Sequence, residues 1–197
     1  QSMVRLMVFA NEFEIEGLIA SASGVPGELK KAIVQPQLIR QVVQADGRIL
    51  PNLRRHADGY PDAERLLERI KSGNPQRGWK NVGDAHDTEG SRWIIRVVDR
   101  DDPRPVNITI WGGQTDLAQA LWRVRADRGA DGLRKFQDKI RIYDISDQDR
   151  IFADIWREFP GMFYILAKAP PRQDMRLATF RGMYLGGDES LTSRRWI

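Results

Sequence analysis

The sequence contains no cysteine, and this absence excludes several kinds of site. Disulfides, thiolate zinc sites and a cysteine nucleophile all require a thiol. Histidine is scarce as well, with two residues in 197. No apolar run approaches the roughly 18 residues that a membrane-spanning helix needs. No membrane partner is therefore expected.

Motifs of several common enzyme classes are also missing. The chain has no G-x-G-x-x-G fingerprint and no phosphate-binding loop that ends in Gly-Lys-Ser/Thr, which disfavours nicotinamide-dependent dehydrogenases and P-loop kinases. It has no Gly-x-Ser-x-Gly elbow, which disfavours an α/β-hydrolase. The net charge of +4 comes with acidic residues interspersed almost everywhere and without a basic stripe. No nucleic-acid partner is therefore expected.

The hydrophobic pattern predicts alternating helices and strands. Strands are expected at 16–22, 106–111, 139–145 and 162–167, and helices at 2–11, 28–45, 61–71, 90–100, 115–128 and 147–159. Such alternation is typical of an α/β fold, a mostly parallel sheet with helices on both faces in three Rossmann-like layers. Pro36 is expected to kink or break the second helix, and Asp46-Gly47 to end it.

The length and composition fit a single α/β domain over residues 1–197, with 41% hydrophobic residues. The apolar pattern already begins at Met3, and the loop-rich segment after Pro170 reaches Trp196-Ile197 without an obvious stop. We therefore expect a partial domain, truncated at both ends. A removed export signal would fit this start, so a periplasmic or extracellular location is expected, with the cytoplasm as the alternative.

Polar residues follow the predicted strands, where open parallel sheets bind their ligands. After the third strand, Asp147, Gln148 and Asp149 are candidate substrate contacts, or alternatively a helix-capping sequence. After the second strand, the Gly112-Gly113 turn places backbone N–H groups near Thr115. This turn predicts either an anion or hydroxyl site or a tight turn that requires glycine.

The longest predicted loop, 73–89, carries a dense group of polar side chains. Asp84, His86, Asp87 and Glu89 lie within six residues, which suits a metal ion, sugar hydroxyls or acid–base chemistry. The alternative is a polar start to the following helix, with Asp87 or the next residue as its cap. We take these four residues as candidate substrate contacts.

Tryptophan supplies the candidate stacking surfaces. Trp79 and Trp156 are candidates for stacking on a sugar or a base, whereas Trp93 and Trp122 are expected to pack in the core. Trp111, at the end of a predicted strand, fits either role.

Several longer segments together resemble a known family. They are Gln1-Ser-Met-Val-Arg-Leu6, Asn11-Glu-Phe-Glu-Ile-Glu-Gly-Leu-Ile19, Asp87-Thr-Glu-Gly-Ser91, Asp99-Arg-Asp-Asp-Pro-Arg-Pro105, Trp111-Gly-Gly-Gln-Thr-Asp-Leu-Ala-Gln-Ala-Leu-Trp122 and Ile145-Ser-Asp-Gln-Asp149. Over nearly its whole length the chain resembles the nucleoside-hydrolase-like family often labelled cellulose-binding proteins. The resemblance implies a mostly parallel α/β sheet with a calcium ion at the strand ends.

The resemblance also implies a reaction: calcium and an aspartate activate a water that attacks the anomeric carbon of a glycosidic bond, either N-ribosyl or within a glycan. The one metal ligand position that carries over is the backbone carbonyl of Trp111. The acidic cluster with its general base is expected upstream of Gln1, a further aspartate ligand beyond Ile197, and the pocket asparagine of the relatives corresponds to Val25. The alternative is a non-catalytic carbohydrate-binding or cellulose-binding protein. A carbohydrate or nucleoside is the expected ligand, and homo-oligomerisation stays open.

Overall fold

Short parallel strands alternate with helices along residues 2–22, 32–173 and 178, the part of the chain that this computed structural model describes. The helices are α1 (Ser2–Val8), α2 (Pro36–Leu53), α3 (Ala63–Glu68), α4 (Glu89–Val98), α5 (Thr115–Asp138) and α6 (Phe152–Glu158). The strands are β1 (Leu18–Ala20), β2 (Ile70–Ser72), β3 (Val106–Ile110), β4 (Ile140–Ile145) and β5 (Phe163–Ala167). In these described ranges, no helix is long and apolar enough to cross a bilayer.

The strands form two parallel sheets, which confirms the predicted α/β class. One sheet has the order β1-β2, with Leu18 paired to Ile70, and the other has the order β3-β4-β5, with Ile108 paired to Ile142. Helical crossovers join the parallel strands. As a result, the carboxyl ends within each sheet lie at one edge, and the following loops are placed there.

Side chains alternate along β4 between a buried and an exposed face. The buried face contributes residues of the main core and one polar residue. Ile140, Ile142 and Asp144 are buried on one face, against α4, α5 and α6, whereas Arg141 and Tyr143 on the other face are exposed. A second core lies among α1, α2, α3, β1 and β2. The strand pattern therefore places the carboxyl group of Asp144 on the core side of the sheet.

The second helix agrees with the prediction at Pro36 and differs at its end. The predicted break is confirmed, because residues 32–35 are not helical and Pro36 is the first residue of α2, a position where proline is tolerated. The predicted end at Asp46-Gly47 is wrong, because α2 continues to Leu53. A Cβ on Gly47 would lie 2.7 Å from the Cβ of Ala63, so this glycine allows α3 to approach closely. Residues 23–31, which include the first four residues of the predicted helix, lie outside the described residues.

Two other predicted helices are shorter than expected. The helix predicted over 61–71 ends at Glu68, because Ile70–Ser72 pairs with β1 instead. The helix predicted over 147–159 begins only at Phe152, because residues 146–151 form a loop. In both places a contact distant in sequence overrides the local pattern.

Candidate functional site

The N-terminus of α5 meets the loops that follow the strands. After β1, the hydroxyl of Ser21 accepts a hydrogen bond from the Gly113 N–H (3.3 Å). After β2, the N–H of Asn74 donates to both carboxylate oxygens of Asp116 (3.0 and 3.1 Å). The end of β4 and the loop after it contribute three further aspartates. We call this group of side chains the strand-end cluster; its members are Gln114, Thr115, Asp116, Asp144, Asp147 and Asp149.

Gln114 binds the loop after β4 at three points. Its side chain is fully buried. The Nε2 group donates to Oδ2 of Asp144 and to Oδ1 of Asp147, both at 2.8 Å. The Oε1 atom accepts the backbone N–H of Asp149 (3.1 Å). One amide therefore fixes the start, middle and end of this loop.

Asp149 occupies the N-terminal end of α5. Its Oδ2 accepts the backbone N–H of Thr115 (3.0 Å) and the Thr115 hydroxyl. A carboxylate is favourable at a helix N-terminus, where the backbone N–H groups carry partial positive charge. A Cβ on Gly113 would overlap both oxygens of this carboxylate. The Gly112-Gly113 turn therefore needs its second glycine, and an internal carboxylate accepts the hydrogen bond that the sequence assigned to an external anion.

Asp116 links α5 to the start of α4. Besides Asn74, the hydroxyl of Thr88 donates to its Oδ1 (2.6 Å). Thr88 is the N-cap of α4 in a capping box with Ser91, which confirms the predicted cap. Burial raises the pKa of Asp116, although both hydrogen bonds oppose this shift.

Asp144 is the most deeply buried carboxyl group of the cluster, with no exposed surface. The hydroxyl of Tyr164 on β5 donates to its Oδ2 (2.8 Å), next to the bond from Gln114. Burial raises its pKa to about 6, and the charges of Asp147 and Asp149 add to this shift. A carboxyl group with such a pKa exchanges its proton near neutral pH, as acid–base catalysis requires.

Among the residues that the structure describes, two carboxylate oxygens of the cluster have no hydrogen-bond partner. They are Oδ1 of Asp144 and Oδ1 of Asp149, and both are buried. Burial raises the pKa of Asp149 as well. Buried polar atoms are nearly always hydrogen-bonded, so two orphaned acceptors in one cluster mark a place that can receive donors.

The loop after β4 has an unusual backbone. Ser146, Asp147 and Arg150 have positive φ angles of 74°, 48° and 59°. Non-glycine residues in this region are strained and persist where their surroundings hold them. Here the surroundings include the Phe152 N–H, which donates to Asp147 Oδ1 (3.0 Å), and the Gln114 amide. Asp147, Gln148 and Asp149, predicted from the sequence as substrate contacts, all lie in this held loop.

The predicted group in the 73–89 loop is divided between two neighbours. Asp87 accepts hydrogen bonds from Gln119 (2.6 Å) and Arg123, and these bonds hold its pKa below the usual value even though burial alone would raise it. Asp84 lies 3.3 Å from Arg123 and is largely exposed. These two carboxylates thus pair with a cation on α5.

The other two members of that group face elsewhere. Glu89 accepts the Ser72 N–H (2.9 Å) and lies 3.6 Å from Lys71 on β2. His86 is half-buried in the turn before α4. The structure therefore does not gather Asp84, His86, Asp87 and Glu89 around one point.

The tryptophans separate into packed and exposed rings. Trp79 packs on Phe159 of the main core, with ring centroids 6.2 Å apart, and Trp122 packs against the same core as predicted. Trp156 is 47% exposed and stacks on a neighbouring ring of α6. Trp111, directly after β3, is 39% exposed and adjoins the Gly112-Gly113 turn. Trp111 is therefore an exposed ring beside the turn that leads into the strand-end cluster.

The residues described do not form a calcium site by themselves. The carbonyl of Trp111, the ligand position implied by the family resemblance, accepts the Nε2 group of Gln148 (2.8 Å). Within residues 2–22, 32–173 and 178, no three acidic or histidine side chains are arranged to hold a metal ion. The two orphaned oxygens of Asp144 and Asp149 are hard donors of the type that calcium prefers, but two are too few for its six to eight ligands.

Some residues of the cluster were not predicted from the sequence, and only one of them has a recognisable sequence signal. Asp144 falls at a core-facing position of an alternating strand, where a charge is rarely buried without a role. Gln114, Asp116 and Tyr164 gave no such signal, because their roles depend on contacts with distant loops.

Comparisons with known proteins agree with this fold. The family model described as cellulose-binding Sde182, nucleoside hydrolase-like domain, matches residues 1–197. A solved structure of a nucleoside hydrolase-related hypothetical protein from Saccharophagus degradans, associated with carbohydrate metabolism, is 35% identical, with a TM-score of 0.79 over 91% of this chain. The chain spans 43% of that relative's length, and no curated protein matches it. The predicted resemblance is confirmed, and the chain belongs to the nucleoside-hydrolase-like domain family of Sde182-type cellulose-binding proteins.

Proposed function

We propose that this chain binds a carbohydrate at the carboxyl edge of its sheet, over Trp111 and the strand-end cluster. The observation that carries the proposal is the convergence of the strand-end loops around the N-terminus of α5, next to an exposed indole ring. This edge is where open parallel sheets bind ligands.

The chemistry of the edge suits a sugar. A pyranose ring has C–H faces that pack on an aromatic ring and hydroxyl groups that donate hydrogen bonds. Trp111 supplies the ring, and ionised carboxylates such as Asp147 are pure acceptors. The family description names cellulose binding and the relative's title names carbohydrate metabolism, which supports this class of ligand.

Calorimetric titration with cello-oligosaccharides, together with a cellulose pull-down, tests the proposal. Trp111→Ala is expected to weaken affinity at least about tenfold, since losing a buried aromatic contact at a binding site typically costs more than about 1.4 kcal/mol. Phe163→Ala is the control, because this exposed aromatic ring lies at the start of β5, at the opposite end of the strands. Equal losses in both variants, or no binding to any glycan, would contradict the proposal.

A second candidate function is hydrolysis of a glycosidic bond, either N-ribosyl or within a glycan. The observation that favours it is the Asp144 carboxyl group, whose pKa is raised to about 6 beside a second raised carboxyl group at Asp149. Glycosidases use two carboxyl groups, and the one that acts as the general acid has a raised pKa.

Turnover assays separate the two candidates. The full-length protein is incubated with nucleosides and with oligosaccharides, with added calcium and with a chelator. Turnover that the chelator abolishes would support the hydrolase and its predicted calcium requirement. Binding without turnover on either substrate class would leave carbohydrate binding as the function.

A further inference from the structure

We infer that Gln114 is a positioning residue, whose amide holds the end of β4 and the loop after it in the conformation that forms the proposed binding edge. The inference rests on the proposed function, because that edge is where the ligand is proposed to bind. The three hydrogen bonds of Gln114 to residues 144, 147 and 149 carry the structural part independently.

The amide group is the feature that the site needs. Gln114 uses Nε2 as a double donor, to Asp144 and Asp147, and Oε1 as an acceptor, from the Asp149 N–H. A carboxylate at this position accepts but does not donate, and an apolar side chain does neither. Glutamine therefore satisfies a set of partners that glutamate of the same size does not.

The held conformation is one that the loop would not adopt alone. Ser146 and Asp147 occupy the left-handed region in succession, at φ 74° and 48°. Strain of this kind is stabilised by surrounding contacts, and Gln114 contacts the residues on both sides of it. Loss of the amide is expected to release the loop and misplace the two carboxyl groups with orphaned oxygens, Asp144 and Asp149.

Charged groups around Gln114 make the test sensitive to pH. On the loop, Asp144, Asp147 and Asp149 face the amide or adjoin it. From β5, Tyr164 shares the Asp144 carboxylate, and Lys168 lies 3.8 Å from Asp147. The positive charge of Arg77, from the loop after β2, opposes the rise in the pKa of Asp149. In Gln114→Glu, the new carboxylate lies beside three aspartates. Protonation of this carboxylate at lower pH restores one hydrogen-bond donor.

A second buried glutamine provides a matched control. Gln137, near the end of α5, donates to the carbonyls of Phe159 and Pro160, both at 3.2 Å, and contacts none of the strand-end loops. Gln137→Glu introduces the same chemical change in a similarly buried place. It is expected to lower stability without altering the strand-end loop.

The experiment measures hydrogen exchange and cello-oligosaccharide affinity in the full chain of the parent, Gln114→Glu, Gln114→Ala and Gln137→Glu. In both Gln114 variants, amide exchange over residues 145–150 is expected to rise about tenfold or more, since a hydrogen bond to a charged acceptor contributes at least about a factor of ten. Affinity relative to the parent falls about tenfold at pH near 7.5 in both. Near pH 5 the affinity returns toward that of the parent in Gln114→Glu only.

The outcomes keep the two proposals apart. Unchanged exchange over residues 145–150 in both Gln114 variants overturns the positioning role, whatever happens to affinity. The same change in Gln137→Glu overturns it as well, because the effect is then general destabilisation. If the parent binds no cello-oligosaccharide, the proposed function fails, while the exchange data still decide the role of Gln114. If Gln114→Glu does not fold, Gln114→Ala decides it.

Discussion

Carboxylates at the two edges of the sheet have different partners. At the amino edge, before β1, β2 and β3, they pair with arginines, and we call this set the amino-edge ion pairs. Its members are Glu14, Glu16, Arg65, Arg69, Arg100, Asp102 and Arg104. At the carboxyl edge, Asp116, Asp144 and Asp149 accept hydrogen bonds from amide, hydroxyl and backbone groups.

The pKa values of the carboxyl groups shift in opposite directions at the two edges. Hydrogen bonds from Arg104 hold the pKa of Asp102 at about 2 and lower that of Glu14. Burial raises the pKa of each buried aspartate in the strand-end cluster, with Asp144 at about 6. A paired carboxylate has its charge compensated within the protein, whereas two buried oxygens of the cluster are left without a partner among the described residues. This difference supports the proposal that the ligand binds at the carboxyl edge.

A groove at the amino edge does not compete with this assignment. It is lined by residues 11–15 and 59–69, among them Glu14, Arg65 and Arg69. Arg65 pairs with Glu14, and Arg69 donates to the carbonyl of Ile15. These polar groups satisfy one another, so the groove offers no orphaned acceptor comparable to those of Asp144 and Asp149.

The largest expected effect is at the glycine turn. Gly113→Ala pushes a methyl group into the Asp149 carboxylate, so unfolding free energy should fall by about 3 kcal/mol and glycan binding should be lost. Gly112→Ala is the matched control, because its Cβ would lie 2.7 Å from the Ser21 hydroxyl, which can rotate away. Its cost should be about 1 kcal/mol. Urea unfolding measures both, and equal costs would contradict the described packing of Asp149.

The next largest effect is on the pH dependence of the free energy of unfolding. Because the folded-state pKa of Asp144 is raised to about 6 from 3.8, the folded state binds more protons between these values, and stability falls as pH rises through them. The full contribution is about 3 kcal/mol, present below pH 3.8 and lost above pH 6. Asp144→Asn removes this titration, so the difference in stability between variant and parent should grow in favour of the variant from pH 4 to pH 7. A difference independent of pH would show that Asp144 titrates normally.

The smallest effect is expected at the amino edge. Glu16 is mostly buried and lies 3.4 Å from Arg69, so Glu16→Gln should lower unfolding free energy by about 1 kcal/mol, and less at high salt. Asp102→Asn, at an exposed pair, should cost less still. Urea unfolding at low and high ionic strength measures both. A loss at Glu16 as large as that at Gly113 would remove the contrast between the edges.

The sequence predicted the position of the candidate site better than it predicted the side chains that form it. The rule that ligands bind at strand ends pointed to Asp147, Gln148 and Asp149, and the structure places them in one loop. It did not identify Gln114, because a glutamine at a helix start is unremarkable until three partners from a distant loop are known. The binding role of every one of these residues stays a prediction.

The misjudged elements have the same physical cause. Nothing near Gly47 in sequence reveals that Ala63 packs against it and keeps α2 continuous. Nothing near Ile70 reveals its pairing with Leu18, which turns the end of a predicted helix into β2. Local patterns predicted β3, β4 and β5 well, because each has a longer apolar pattern of its own, alternating in β3 and β4 and continuous in β5.

The central claim is that the ligand binds at the carboxyl edge, and hydrogen exchange with and without cellohexaose tests it most directly. The account predicts protection over residues 111–116 and 144–150, with no change over residues 11–16 and 100–104. Protection at the amino edge, with the strand-end segments unchanged, would contradict it.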